Sequence, residues 1–269
     1  MQAFSVEKGL NLQEATVVLP AVSVGNVGEL ATDVLITSLL PAGLHLVARL
    51  EEPNCLPVVG NDAYSLQAPG TLSTALELYH LQGTTTYFLQ QRAPAMKGRQ
   101  AEFAASLAHW LQREGVQQVV VLCGLNAVSR KDSQIMGAPT RFLSSAGSPL
   151  SELCASGLGL PVLEEDYLAE EKQLHGLLPP WPLLEACQQR AIPTLLLMRF
   201  VTEGDNQADG MELARQTLSF LLLHAPSGVR EQLGKGSSSD ASSIQLQLRA
   251  PCSWAALYGR SSGGIGLVG

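Results

Sequence analysis

Residues 16–40, TVVLPAVSVGNVGELATDVLITSLL, constrain the fold more than any other stretch of this chain. Residues 16–22 are rich in β-branched side chains, the composition of a strand buried inside an α/β sheet. Gly25 and Gly28 then bracket Asn26, and Val27, Leu30, Ala31, Val34 and Leu35 recur at the spacing of one helical face. Glu29 stands three residues after Asn26, and Asn-x-x-Glu is a capping-box variant, so the stretch reads as strand, glycine turn and capped helix. A strand that runs through glycines into a helix start is also a common phosphate cradle in α/β proteins.

The same alternation continues downstream. Residues 43–50 read as a second strand, and 72–81 with 84–92 as an antiparallel hairpin across Gln82-Gly83. Between them, Gly60-Asn61-Asp62 is strong turn chemistry. Residues 99–114 predict a helix with Phe103, Ala104, Leu107, Trp110 and Leu111 on one face and Gly115 as its C-terminal cap. The valine run in 118–124 predicts a central strand, and 194–201 a buried one; helices are expected over 183–190 and 211–225. Periodicity fades from 125 to 180, which reads as an irregular insertion with short helices. The expected fold is α/β, a three-layer sandwich around a mixed sheet. One domain is expected over 1–259, with a mobile loop about 232–243 and a flexible tail at 260–269.

Totals exclude several classes of function. The 269 residues carry a net charge of −7 and no dense Lys/Arg run, which argues against nucleic acid or an anionic membrane surface as partner. Only 15% of residues are charged, against about 25% in an average domain, so a partner protein is one way to cover the surface. Five scattered cysteines, with no C-x-x-C pair, fit reduced thiols of the cytosol or nucleus. No apolar run is long enough to span a bilayer, and no signal peptide is visible at the N-terminus.

Tests for catalytic chemistry give little. Gly25-x-x-Gly28 lacks the full dinucleotide pattern, and a tight turn with a capped helix explains it better than phosphate does. Residues 228–236 miss the P-loop spacing. Glu203, Asp205, Asn206 and Asp209 cluster after a strand, where α/β folds place their sites. Helix capping is the preferred account of them, and a partner-binding surface at Glu203, Asp205 and Asn206 is the rival. The five histidines stand apart with no metal-ligand spacing, and no nucleophile elbow occurs. No catalytic residue, metal or cofactor is expected.

Four segments together resemble one family: residues 19–33 (LPAVSVGNVGELATD), 57–64 (PVVGNDAY), 199–206 (RFVTEGDN) and 251–259 (PCSWAALYG) are similar to the signature segments of proteasome assembly chaperone 2. On that resemblance Gly25, Asn26, Gly28, Gly60 and Asn61 are signature-turn residues. It implies a nucleoside-phosphorylase-like α/β sandwich without catalysis. The implied function is to pair with proteasome assembly chaperone 1, promote assembly of the 20S α-ring and prevent off-pathway association of α-subunits, in cytoplasm and nucleus. The family docks through C-terminal tails ending in hydrophobic–tyrosine–any residue. Here Leu267, Val268 and Gly269 occupy those places, so the resemblance implies auxiliary docking without the aromatic hydroxyl. The alternatives are a nucleoside- or phosphate-binding enzyme of the same fold, or a self-associating scaffold.

Overall fold

A computed structural model describes residues 10–65, 71–145, 150–224, 230 and 247–254. Its centre is a seven-stranded sheet in the order β2-β5-β6-β1-β7-β9-β8. The strands are β1 (Thr16–Pro20), β2 (Leu44–Arg49), β5 (Leu76–Leu81), β6 (Thr86–Gln91), β7 (Gln118–Asn126), β8 (Thr140–Ser144) and β9 (Thr194–Val201). β6, β1, β7 and β9 run parallel, whereas β5 lies antiparallel between β2 and β6, and β8 antiparallel on β9. The sheet is mixed, as expected. A separate two-stranded ribbon pairs β3 (Val59–Asn61) with β4 (Leu72–Thr74).

Seven α-helices flank the strands among the described residues: α1 (Val27–Leu39), α2 (Gln100–Arg113), α3 (Asp132–Ile135), α4 (Leu150–Glu152), α5 (Glu165–His175), α6 (Trp181–Gln189) and α7 (Gln207–His224). Because side chains alternate along a strand, the valine run of β7 serves both faces. Val120 and Leu122 join Val18, Phe88 and Leu195 beneath α1 and α7, while Val119 and Val121 join Val17, Leu19 and Met198 beneath α2 and α6. Continuous apolar strands and two helical layers are thus one fact.

The segment 125–180 corrects the expectation of an irregular insertion. It adds β8 to the sheet edge and contributes α5. β8 was illegible because Arg141 is its second residue; the side chain is buried, with Nε 3.0 Å from Glu164 Oε1 and its guanidinium also hydrogen-bonded to the Ala138 carbonyl. The turn before α1 brings a second correction. Asn26 adopts a left-handed conformation (φ 50°) and makes no side-chain cap, so no capping box with Glu29 forms. Gly115 is at φ 77° just past α2, where the cap glycine was expected. The loop about 232–243 and the tail at 260–269 lie outside the described residues.

Candidate functional site

The C-terminal ends of β1, β7 and β9 meet at one edge of the sheet, and two of the expected segments meet there. β1 leaves through Ala21, whose amide donates to the Leu122 carbonyl at 2.8 Å. Ser23 then links the strands: its Oγ donates to the Ala21 carbonyl and accepts from the Gly124 amide, each at 2.8 Å. Gly25 follows at φ 65°. Its space is taken, since a Cβ there would overlap the Asn206 carboxamide. Gly28 and Gly124 allow α1 to sit directly on β7: a Cβ on Gly28 would strike the Leu122 carbonyl, and one on Gly124 the Val24 carbonyl. These glycines are close-packing residues.

The turn after β9 closes the arrangement. The Asn206 carboxamide is buried and donates to the carbonyls of Thr202 (2.8 Å), Gly204 (3.2 Å) and Gly25 (3.3 Å). Asn206 therefore ties β9–α7 to β1–α1 and is not presented to a partner, which corrects that part of the expectation. Glu203 and Asp205 are exposed. Asp205 Oδ1 accepts the Gln207 amide at 3.0 Å, a turn-type contact at the start of α7. Asp209 does not stand free: its Oδ1 is 2.7 Å from Arg199 Nε. Glu203 rims a cavity of about 340 Å³ bounded by Ser23, Gly124, Asn126, Glu171, His175 and Pro179. A smaller apolar cavity of about 210 Å³ lies beside it, between Val22, Phe103, Leu178 and Leu183.

Glu29, in the first turn of α1, is the one acid whose chemistry the burial alters here. One carboxylate oxygen is sealed from solvent without a hydrogen-bond partner. Burial, with a smaller contribution from the like charge of Asp33, pushes its carboxyl up to about 8.

Gly60 and Asn61 lie elsewhere, on the exposed ribbon strand β3. Beneath that ribbon runs a polar cluster the sequence reading missed. Asp33 Oδ1 accepts from Gln90 Nε2 (2.6 Å), Tyr64 Oη (2.8 Å) and Arg92 Nη2 (3.0 Å). Arg92 also donates to Tyr64 Oη at 2.8 Å and lies 3.9 Å from Glu77, which accepts from Tyr79 Oη at 2.9 Å. Burial and the neighbouring carboxylates raise the Tyr64 and Tyr79 phenols above their ordinary range, and burial raises Glu77. One signal was available: an aspartate inside the apolar run 30–36 of a buried helix requires a partner. Leu267, Val268 and Gly269 lie outside the described residues. Among those residues no group of three metal-ligating side chains occurs.

Comparison with known proteins places this geometry. Residues 17–209 match the model of the PAC2 family. Proteasome assembly chaperone 2 of Nematostella vectensis is 35% identical over 215 residues, covering 76% of this chain and 88% of its own. The Bos taurus protein of the same name is 28% identical over 93% of both chains. The crystal structure of Pyrococcus furiosus PbaA, an archaeal homolog of proteasome-assembly chaperone, superposes with a TM-score of 0.57 at 16% identity, over 86% of this chain and 92% of that one. At that identity the likeness concerns the fold. With the family model spanning the sheet from β1 to the start of α7, and the Nematostella vectensis relative matching over most of both chains, the chain belongs to the PAC2 family.

Proposed function

We propose that this protein is a proteasome assembly chaperone, a binding protein rather than an enzyme. In this reading it pairs with proteasome assembly chaperone 1, and the pair acts on α-subunits in cytoplasm and nucleus to promote the 20S α-ring and prevent wrong α-subunit contacts. The observation that carries it is the relative named Proteasome assembly chaperone 2, 35% identical over 88% of its length. The geometry of the glycine turn is compatible, because the Asn206 carboxamide packs directly against Gly25 and bonds to its carbonyl. The exposed acids Glu203 and Asp205 are the surface side of the same edge.

Co-expression followed by pull-down and mass spectrometry tests the reading. Recovery of a related chaperone together with α-subunits, without mature proteasomes, is the expected result; recovery of neither overturns it. A nucleoside- or phosphate-binding enzyme would instead be stabilised against heat by millimolar phosphate or nucleoside, since a ligand that binds only the folded state raises its stability.

A further inference from the structure

The β3–β4 ribbon stands apart from the central sheet and exposes apolar side chains. All three residues of β3 are exposed, Val59 to 64%, and Leu56, Val58 and Leu72 are exposed beside it. Among the described residues β3 is paired with β4 alone, in the register Val59↔Thr74, Gly60↔Ser73 and Asn61↔Leu72. A lone two-stranded ribbon is marginal in water, and its outer edge is a template for another strand.

This ribbon is nevertheless held in place. Tyr64, just past β3, bonds to Asp33 and Arg92; Ala63 N donates to Ser73 Oγ at 3.2 Å; Arg49 Nη2 donates to the Leu72 carbonyl at 3.0 Å. A strand fixed from below presents its outward-facing backbone groups with a reduced ordering cost on binding. Alongside runs a groove of about 770 Å³ whose apolar wall includes Leu50, Val58, Leu76 and Met96. Its charged groups are unequal. Arg49 is engaged by Glu77 (3.6 Å) and Leu72, and Glu52 by Asn54 (2.5 and 2.9 Å). Glu51 is exposed at the groove and, among the described residues, makes no ion pair, Arg49 of the same groove being taken up by Glu77.

We propose that the outer edge of β3 and this groove take up one extended strand of the partner chaperone, apolar at alternate positions and flanked by a lysine or arginine that faces Glu51. Main-chain hydrogen bonds along β3 supply affinity, and the groove with Glu51 supplies selectivity. The inference rests on the heterodimer reading above and names where on this chain the pair is joined.

The full chain is co-expressed with proteasome assembly chaperone 1 as wild type, Val59→Asp and Glu51→Lys, with thermal melting of each and hydrogen exchange of the wild-type complex. Both substituted residues are exposed, so melting is expected to hold. Expected are slowed exchange of the 58–61 amides in the complex, about tenfold weaker pairing for Val59→Asp, where an unpaired charge enters the interface, and a smaller loss for Glu51→Lys. If wild type pairs but these amides exchange as fast as in the free chain and both variants pair normally, the inference falls while the heterodimer stands. If Val59→Asp fails to fold, Glu51→Lys and the exchange measurement decide alone. Absence of wild-type pairing removes the heterodimer reading and this inference with it.

Discussion

Asn206 reaches across the molecule to Gly25, its Nδ2 lying 3.3 Å from the Gly25 carbonyl oxygen although 181 positions separate the two residues. This contact fastens the turn after β1 to the turn after β9. Gly25→Ala would force a side chain into a left-handed conformation, costing about 1–2 kcal/mol, and into the Asn206 carboxamide as well. A total loss of roughly 2–4 kcal/mol in chemical denaturation is expected. Asn206→Asp should be comparably costly, because a carboxylate would face three carbonyl oxygens. Losses below about 0.5 kcal/mol would mean that the turns are held by other contacts.

Asp33 and Arg92 belong to one buried cluster, and removing either leaves charge behind. Asp33→Leu leaves the Arg92 guanidinium with only the more distant Glu77, 3.9 Å away, while Arg92→Met leaves Asp33 without a cation and Glu77 with Arg49 alone. Each single change is expected to lower stability by about 3–5 kcal/mol, and the double change by clearly less than the sum. Additive losses in the double-mutant cycle would mean that the two groups do not act as a pair.

Glu29 makes stability depend on pH in the direction opposite to an ordinary ion-paired carboxylate. Its carboxyl titrates near 4.5 in the unfolded chain and near 8 when folded, so between these values the folded protein holds the extra proton. The contribution is fully present below about pH 4.5 and is lost as pH rises through about 8, with a limiting slope of about 1.4 kcal/mol per pH unit. Glu29→Gln should flatten that slope and stabilise the protein at pH 8 more than at pH 5. Equal effects at both values would mean that the carboxylate is solvated.

What was legible in the sequence follows what is decided locally. β9 was read to its observed bounds because a run such as TLLLMRFV buries on both faces whatever its neighbours are. α2 was legible from its single apolar stripe and its cap glycine. The errors share a different physics. β8 hides a buried arginine whose partner, Glu164, is 23 residues away. Asp33 bonds in this cluster to residues 31 to 59 positions away, and nothing in the spacing of any one element announces it. Asn26 looked like a cap because its residue type suits one, but its left-handed backbone points the side chain away from that role. At the candidate edge the sequence marks Gly25 and Gly28 as a glycine turn and Asn206 as a polar residue following a strand. Their purpose, close approach of backbones, could be seen only once β7 and β9 were beside them.

Glu203 and Asp205 separate binding from folding at this edge. Both are exposed, and Asp205 alone has a local duty, accepting the Gln207 amide at 3.0 Å. Glu203→Lys should leave the melting temperature unchanged, whereas Asp205→Lys should remove about 0.5–1 kcal/mol of helix-start stabilisation. If this edge meets a partner, reversing both charges will weaken recovery of α-subunits or of the related chaperone by more than that stability change explains, and added salt will weaken the wild-type complex in parallel. Normal recovery by Glu203→Lys/Asp205→Lys, with only the small loss in melting, would assign Asp205 to the turn and leave Glu203 as ordinary solvated surface.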